Sequence, residues 1–355
     1  MEKHYEKRIR VLVVDDSAFM RKVISDILNS DKDIEVVAAA KSGPDAIEKV
    51  GELKPDVITL DVKMPGMDGL ECLKELNKIC KIPVVMLSSV TKEGAEATIQ
   101  ALAYGAIDFI TKPSNIFEMN GIEKSNEIIE KVKIAKNLSS NTGSNEKYNA
   151  RSKSVINKSC NVQNLVLIGT STGGPKALQD VIPLIPDNVN AAFLVVQHMP
   201  AGFTKSLADR LNNISAVNVK EAEDNEAVRT GYVYVAPGDY HMHLEKHDGT
   251  TLKIKLTKDP PVGGHRPSVD VMFESVSNTE FKNVVAVVMT GMGGDGGKGV
   301  KLLKKANGAH IIAQDENTCV VFGMPRVAIL TGVVDVVTPL KEISKEIMKI
   351  VGVHK

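Results

Sequence analysis

VLVVDDSAFMR, residues 11–21, sets four apolar side chains in a row ahead of two carboxylates, Asp15 and Asp16, and then changes to the spacing of an amphipathic helix. An unbroken apolar run of this length suits a strand covered on both faces, as in a parallel sheet. Similar runs follow at Val36–Ala40, Val57–Leu60, Val84–Leu87 and Ile107–Ile110. Helical patterns separate them at Ala18–Leu28, Pro44–Leu53, Leu70–Ile79 and Glu93–Ala103. Strands alternating with helices predict a doubly wound parallel α/β domain over residues 8–116.

In such a sheet the carboxyl ends of the strands line the ligand crevice. Asp15 and Asp16 end the first predicted strand, Asp61 the third, Ser88 the fourth, and Lys112 with Pro113 the fifth. Three converging carboxylates repel one another, and burial raises their pKa. A hard cation such as Mg²⁺ relieves this, taking one or two carboxylates plus water and phosphate oxygens. The Ser88 hydroxyl and Lys112 ammonium suit an incoming phosphoryl group. Singly, each residue also reads as a turn, a helix cap or a loop start; together they define one site.

VLVVDDSAFMR, ITLDVKMPGMDGLE, VVMLSS and AIDFITKP resemble the response-regulator receiver family along its whole length. The resemblance implies a flavodoxin-like sheet with Asp61 as phospho-acceptor. It implies Mg²⁺ held by Asp16 and Asp61, Asp15 assisting and the Lys63 carbonyl completing the shell. Ser88 and Lys112 would contact the phosphoryl group, and a sensor histidine kinase would donate it. Phe109 matches the family's aromatic switch; an aromatic at a sheet edge also packs simply into a core.

Beyond Ser114 the pattern changes. Glu123–Leu138 fits one polar helix, and SSNTGSNEKYNARSKSVINKSCN, residues 139–161, has almost no apolar periodicity. Residues 117–160 read as a flexible linker. A second α/β pattern over residues 161–353 has strand runs at Leu165–Ile168, Ala192–Val196, Tyr232–Ala236, Leu252–Leu256, Val284–Met289, His310–Ala313 and Val333–Val337. Its helical patterns are Pro175–Val181, Phe203–Leu211, Val269–Ser277 and Gly299–Ala306. This predicts a Rossmann-like doubly wound sheet with a β-hairpin over Tyr232–Leu256, turning near His247–Thr250.

NLVLIGTSTGGPKAL, residues 164–178, reads as strand, tight turn and helix, and Gly169–Gly173 fits the G-x-S-x-G nucleophile elbow around Ser171. The turn would lift the hydroxyl above the sheet, and the next helix N-terminus offers amides to an oxyanion. A phosphate cradle is the alternative, although neither GxxxxGK nor GxGxxG is met. A serine nucleophile needs a base. Of eight histidines, His198 directly follows the apolar run FLVVQ. His241, His243 and His247 fall in the hairpin segment and read as core or surface residues; the His241/His243 pair has no third metal ligand at a known spacing. His265 lies in a loop that can line the cleft. Asp295, in VVAVVMTGMGGDGGKG, follows another buried run and supplies an orienting acid. The order Ser, His, Asp differs from the Ser, Asp, His of common α/β-hydrolases. It predicts a separate triad on a Rossmann-like sheet.

GTSTGGP, QHMP, APGDYHMHL, HRPSVDVMF, TGMGGDGGKG and CVVFGMPRVA resemble the methylesterase domain of chemotaxis response regulators over about residues 163–340. By that resemblance Ser171, His198 and Asp295 are the triad, Thr172 positions the imidazole, and the Met292 amide donates to the oxyanion. Thr170 stands where many members carry Ala. The implied substrates are glutamate γ-methyl esters on the cytoplasmic helices of chemoreceptors, and some members also deamidate glutamine. The tandem arrangement leads us to expect an unphosphorylated receiver that covers the hydrolase cleft and leaves it on phosphorylation, a population shift.

Composition narrows the alternatives. Lys plus Arg, 44, equals Asp plus Glu, so a nucleic-acid output lacks the usual basic excess. The four cysteines, Cys72, Cys80, Cys160 and Cys319, form no CxxC pair. No run approaches the roughly 18 apolar residues of a membrane span, and the charged start is unlike a signal peptide. A cytoplasmic enzyme without membrane insertion is expected. A non-catalytic output domain and a nucleotide-binding one are the rivals.

Overall fold

The computed structural model describes residues 8–112, 122–138, 162–247 and 251–353. They belong to two compact units, residues 1–146 and 147–355. In the first, β1 (Ile9–Val14), β2 (Ile34–Ala40), β3 (Val57–Asp61), β4 (Val84–Ser88) and β5 (Asp108–Thr111) form a parallel sheet in the order β2-β1-β3-β4-β5. Around it stand α1 (Ala18–Asn29), α2 (Gly43–Leu53), α3 (Gly69–Ile79), α4 (Lys92–Ala103) and α5 (Ile122–Leu138). The sequence sets each start: Ser17, Ser42, Asp68 and Thr91 cap α1 to α4 with their side-chain oxygens. Such a cap satisfies an amide the first turn leaves unpaired.

The linker expected over 117–160 needs correcting. Residues 122–138 form α5, whose Ile128, Ile129, Val132 and Ala135 are buried in the first unit's core with Val11, Val57 and Ile110. The lysines that make this helix look solvated are ion-paired to that unit. Lys133 reaches Asp31 at 2.8 Å and Lys136 reaches Asp56 at 2.6 Å. Pro113, linker residues 139–160 and hairpin-turn residues 248–250 lie outside the described residues.

The second unit holds a seven-stranded parallel sheet ordered β14-β13-β12-β6-β7-β9-β8. Its strands are β6 (Leu165–Thr170), β7 (Ala192–Gln197), β8 (Asn218–Glu221), β9 (Tyr232–Val235), β12 (Val284–Val288), β13 (His310–Gln314) and β14 (Val336–Thr338). The helices are α6 (Gly174–Val181), α7 (Phe203–Ile214), α8 (Val269–Ser277), α9 (Gly297–Asn307), α10 (Met324–Leu330) and α11 (Leu340–Val351). Leu167, Leu194 and Ala286 face a core shared with Met272, Phe273, Val300 and Leu303. Their strand neighbours Ile168, Val195 and Val287 are equally buried, so the sheet is covered on both sides. The hairpin is shorter than expected. It comprises β10 (His241–His247) and β11 (Thr251–Thr257), while Tyr232–Val235 pairs in parallel with β7 and β8.

Candidate active site

The first unit carries the acidic pocket. Asp15 and Asp61 are buried at the ends of β1 and β3. The Lys112 ammonium pairs with both, at 2.6 Å and 2.8 Å. Burial pushes the Asp61 carboxyl above its usual range, and Lys112 offsets part of the rise. Asp15, Asp16 and Asp61 each offer an oxygen within 4.8 Å of the others, so the donor set fits a hard oxygen-seeking cation. It is the one group of three or more metal-binding side chains among the described residues. Gly69 lets α3 approach; a Cβ there would lie 2.0 Å from the Asp61 carbonyl oxygen. The Lys63 amide donates to Asp61 Oδ1 at 3.3 Å. The buried Ser88 hydroxyl stands at the end of β4 and donates to the Gly94 carbonyl at 3.2 Å. Phe109 is buried, with the Lys131 ammonium 5.1 Å from its ring centre.

The second cluster stands at the carboxyl ends of β6, β7 and β12. After β6 the chain turns at Ser171, passes Gly173 at φ 76° and enters α6. The turn is tight: a Cβ on Gly174 would lie 2.0 Å from Gln197 Oε1, and one on Gly291 would lie 2.8 Å from Ser171 Cβ. Thr290 fixes the elbow. Its carbonyl accepts from the Ser171 amide at 3.0 Å and from the Thr170 hydroxyl at 3.1 Å. Its hydroxyl donates to the Thr172 carbonyl at 3.0 Å, and its amide donates to Gln314 Oε1 at 2.8 Å. The Thr170 hydroxyl is thus spent inside the sheet. Thr172 is buried beside Ser171, and Met292 is half-exposed next to Gly291.

His198 follows β7, and its Nε2 lies 2.8 Å from Asp295 Oδ2. That pairing places the ring proton on Nε2 and leaves a lone pair on Nδ1, which is buried without a partner. No hydrogen bond joins Ser171 to His198 among the described residues; the backbone holds them side by side. The His198 amide donates to the Thr170 carbonyl at 3.2 Å, and the Gln197 side chain donates to the Ser171 carbonyl at 3.0 Å.

Asp295 is held by the start of α8. Its Oδ1 accepts from the Ser268 hydroxyl at 2.9 Å, the Asp270 amide at 2.8 Å and the Gly296 amide at 3.0 Å. Its Oδ2 accepts from the Val269 amide at 2.7 Å. Burial works to raise its pKa, but His198 and these amides prevail and hold it below the usual carboxylate range. The N-terminal end of a helix favours the same anion.

The loop before α8 adds a group that sequence reading assigned only to the cleft lining. The His265 ring stacks on His198, with centroids 3.9 Å apart and planes 13° from parallel. Ser268, Thr290 and Gln314 were also missed. A serine just ahead of an apolar helical run is a cap signal that picks out Ser268. In the hairpin, His241 Nε2 lies 3.2 Å from the Pro260 carbonyl, and His243 Nε2 lies 3.1 Å from Thr257 Oγ1.

The two sheets and their clusters define a class: a receiver unit followed by an α/β enzyme unit. The response regulator receiver domain profile matches residues 11–123, and the CheB methylesterase profile matches residues 166–347. A protein-glutamate methylesterase/protein-glutamine glutaminase of Halalkalibacterium halodurans is 49% identical over 97% of this chain and 99% of its own length. One of Geobacillus kaustophilus is 47% identical over 98% and 99%. The crystal structure of the Thermotoga maritima CheB methylesterase catalytic domain is 45% identical, covers 52% of this chain and 97% of its own, and superposes with a TM-score of 0.51. The chain belongs to the CheB methylesterase family. No described helix is long and apolar enough to cross a membrane.

Proposed function

We propose that this chain is a phosphorylation-regulated serine esterase. It hydrolyses glutamate γ-methyl esters on chemoreceptors and acts in the cytoplasm in chemotactic adaptation. The observation that carries the reading is the His198–Asp295 pair, with a free Nδ1, beside an elbow serine. Nδ1 of His198 takes the Ser171 proton as Oγ attacks the ester carbonyl. Asp295 stabilises the imidazolium through the Nε2–H bond. The amide of Met292 donates to the oxyanion. Thr172 helps set the imidazole. His198 then protonates the departing methoxide and methanol leaves. Water, deprotonated by His198, attacks the acyl-enzyme and frees the glutamate carboxylate and Ser171. The same steps on a glutamine side chain release ammonia. The relatives are named glutaminases as well as methylesterases, which supports that second activity.

In the receiver unit Asp61 accepts the phosphoryl group from a sensor histidine kinase. Asp15, Asp16, Asp61 and the Lys63 carbonyl would hold Mg²⁺, which when bound neutralises the phosphate charge. Lys112 pairs with a phosphoryl oxygen, Ser88 turns its hydroxyl from Gly94 to another, and Phe109 follows as the switch. The test is methanol release from methylated receptor, with and without a phosphoryl donor. Ser171→Ala should abolish release; release retained in that variant would remove Ser171 from the chemistry and end the esterase reading.

A further inference from the structure

His198 is tethered in the plane of its ring by one hydrogen bond, to Asp295, while Nδ1 has no partner. One bond lets a ring pivot, and a base that pivots loses its aim at the nucleophile. We infer that His265 is a positioning residue for this base: its ring, lying flat on His198, holds the imidazole in the plane shared with Asp295 and keeps water off that face. The inference rests on the esterase reading, in which His198 is the base.

Three observations carry it. The stack is close and nearly parallel. The loop that presents His265 is fastened at both ends. Val262 and His265 exchange amide-to-carbonyl bonds of 3.1 Å and 3.0 Å across a turn where Gly263 and Gly264 take positive φ. Next to it the Arg266 guanidinium donates to the carbonyls of Lys258 at 3.1 Å and Asp259 at 3.0 Å, and pairs with Asp239. Lastly, the segment from His265 to Asp270 supplies both the stack on the base and the hydrogen bonds that hold its carboxylate. One run of six residues thereby orients two members of the triad.

The charge balance agrees. Burial, helped by the charge His198 can carry and opposed by Asp295, drives the His265 pKa down to about 4. The ring therefore stays uncharged where the base works and does not compete for the Ser171 proton. Asp295, after β12, is the carboxylate that acts on His265, and Asp270, on α8, acts in turn on Asp295.

Leu and Phe at position 265 separate stacking from space-filling in the full-length chain. His265→Leu keeps the volume without a flat ring; His265→Phe keeps the flat ring without ionisation. With a phosphoryl donor present, the Leu variant should lose about tenfold or more in kcat for methanol release with KM little changed. The Phe variant should stay within about threefold of the parent. In ¹⁵N-histidine-labelled, substrate-free protein, the His198 Nε2–H resonance should broaden through water exchange in the Leu variant and persist in the Phe variant. Parent-like kcat and an unchanged resonance in the Leu variant would overturn the inference. So would a Phe variant as impaired as the Leu one, because the imidazole would then act chemically. If the parent itself releases no methanol, the esterase reading fails, and the resonance still decides whether His265 holds His198.

Discussion

Ser171, His198 and Asp295 were legible as candidates because each is nearly the first polar group after a buried apolar run. In a parallel sheet that position is the crevice. His265, Thr290 and Gln314 were not, since hydrogen bonds and stacks made from loops leave no periodic trace. His265 nonetheless has a measurable signature in pH. Its folded pKa, about 4, lies below the ordinary imidazole value of 6.5. As pH falls through that window the unfolded chain takes up a proton that the folded chain refuses, so stability is lost between about 6.5 and 4. Simple linkage gives about 3 kcal/mol; partial exposure of the ring reduces this to roughly 1–2 kcal/mol. His265→Phe removes the titration. The variant should gain thermal stability relative to the parent at pH 4.5 compared with pH 7.5, read as the difference in Tm. Parallel Tm curves across that range would mean the ring is not held neutral.

Among the elements, α8 contributes through its first turn. Ser268 is its N-cap, accepting from the Val271 amide at 3.4 Å while donating to Asp295 at 2.9 Å. Ser268→Ala should therefore act twice. Losing the cap should lower stability by about 1 kcal/mol. Losing a donor to the carboxylate should lower kcat with little change in KM, because in the proposed mechanism Asp295 orients the base and does not touch substrate. A variant with lower Tm and unchanged kcat would confine Ser268 to folding. The run VDVMF made α8 readable from the sequence, and the strict strand–helix alternation made both sheets readable. β8 was not: NVKE is a short polar edge strand whose pairing with β9 decides it. α5 was misplaced because nothing in its sequence reveals that its lysines find carboxylates on the receiver.

For the molecule as a whole, the chemistry divides between the two units. Lys112 holds Asp15 and Asp61 together, so the proposed phosphorylation would redistribute three carboxylates and one ammonium. A phosphoryl group on Asp61, as proposed, would draw Lys112 to its oxygens, and the remaining negative charge would call for a divalent cation. The proposed triad relies on an amide-held carboxylate, an imidazole and a hydroxyl, and the described residues gather no group of three or more metal-binding side chains there. Chelating Mg²⁺ should therefore separate the two functions. In the full-length chain EDTA should abolish phosphoryl uptake from a small-molecule donor, and with it the donor-dependent rise in methanol release. The basal release measured without donor should not change. Asp61→Asn should give the same low rate with or without donor and with or without EDTA. A basal rate that falls with EDTA would place a metal in the hydrolase and contradict the triad. A donor response that survives Asp61→Asn would move the phosphorylation site elsewhere and leave the buried Asp15–Lys112–Asp61 cluster as a purely structural ion pair.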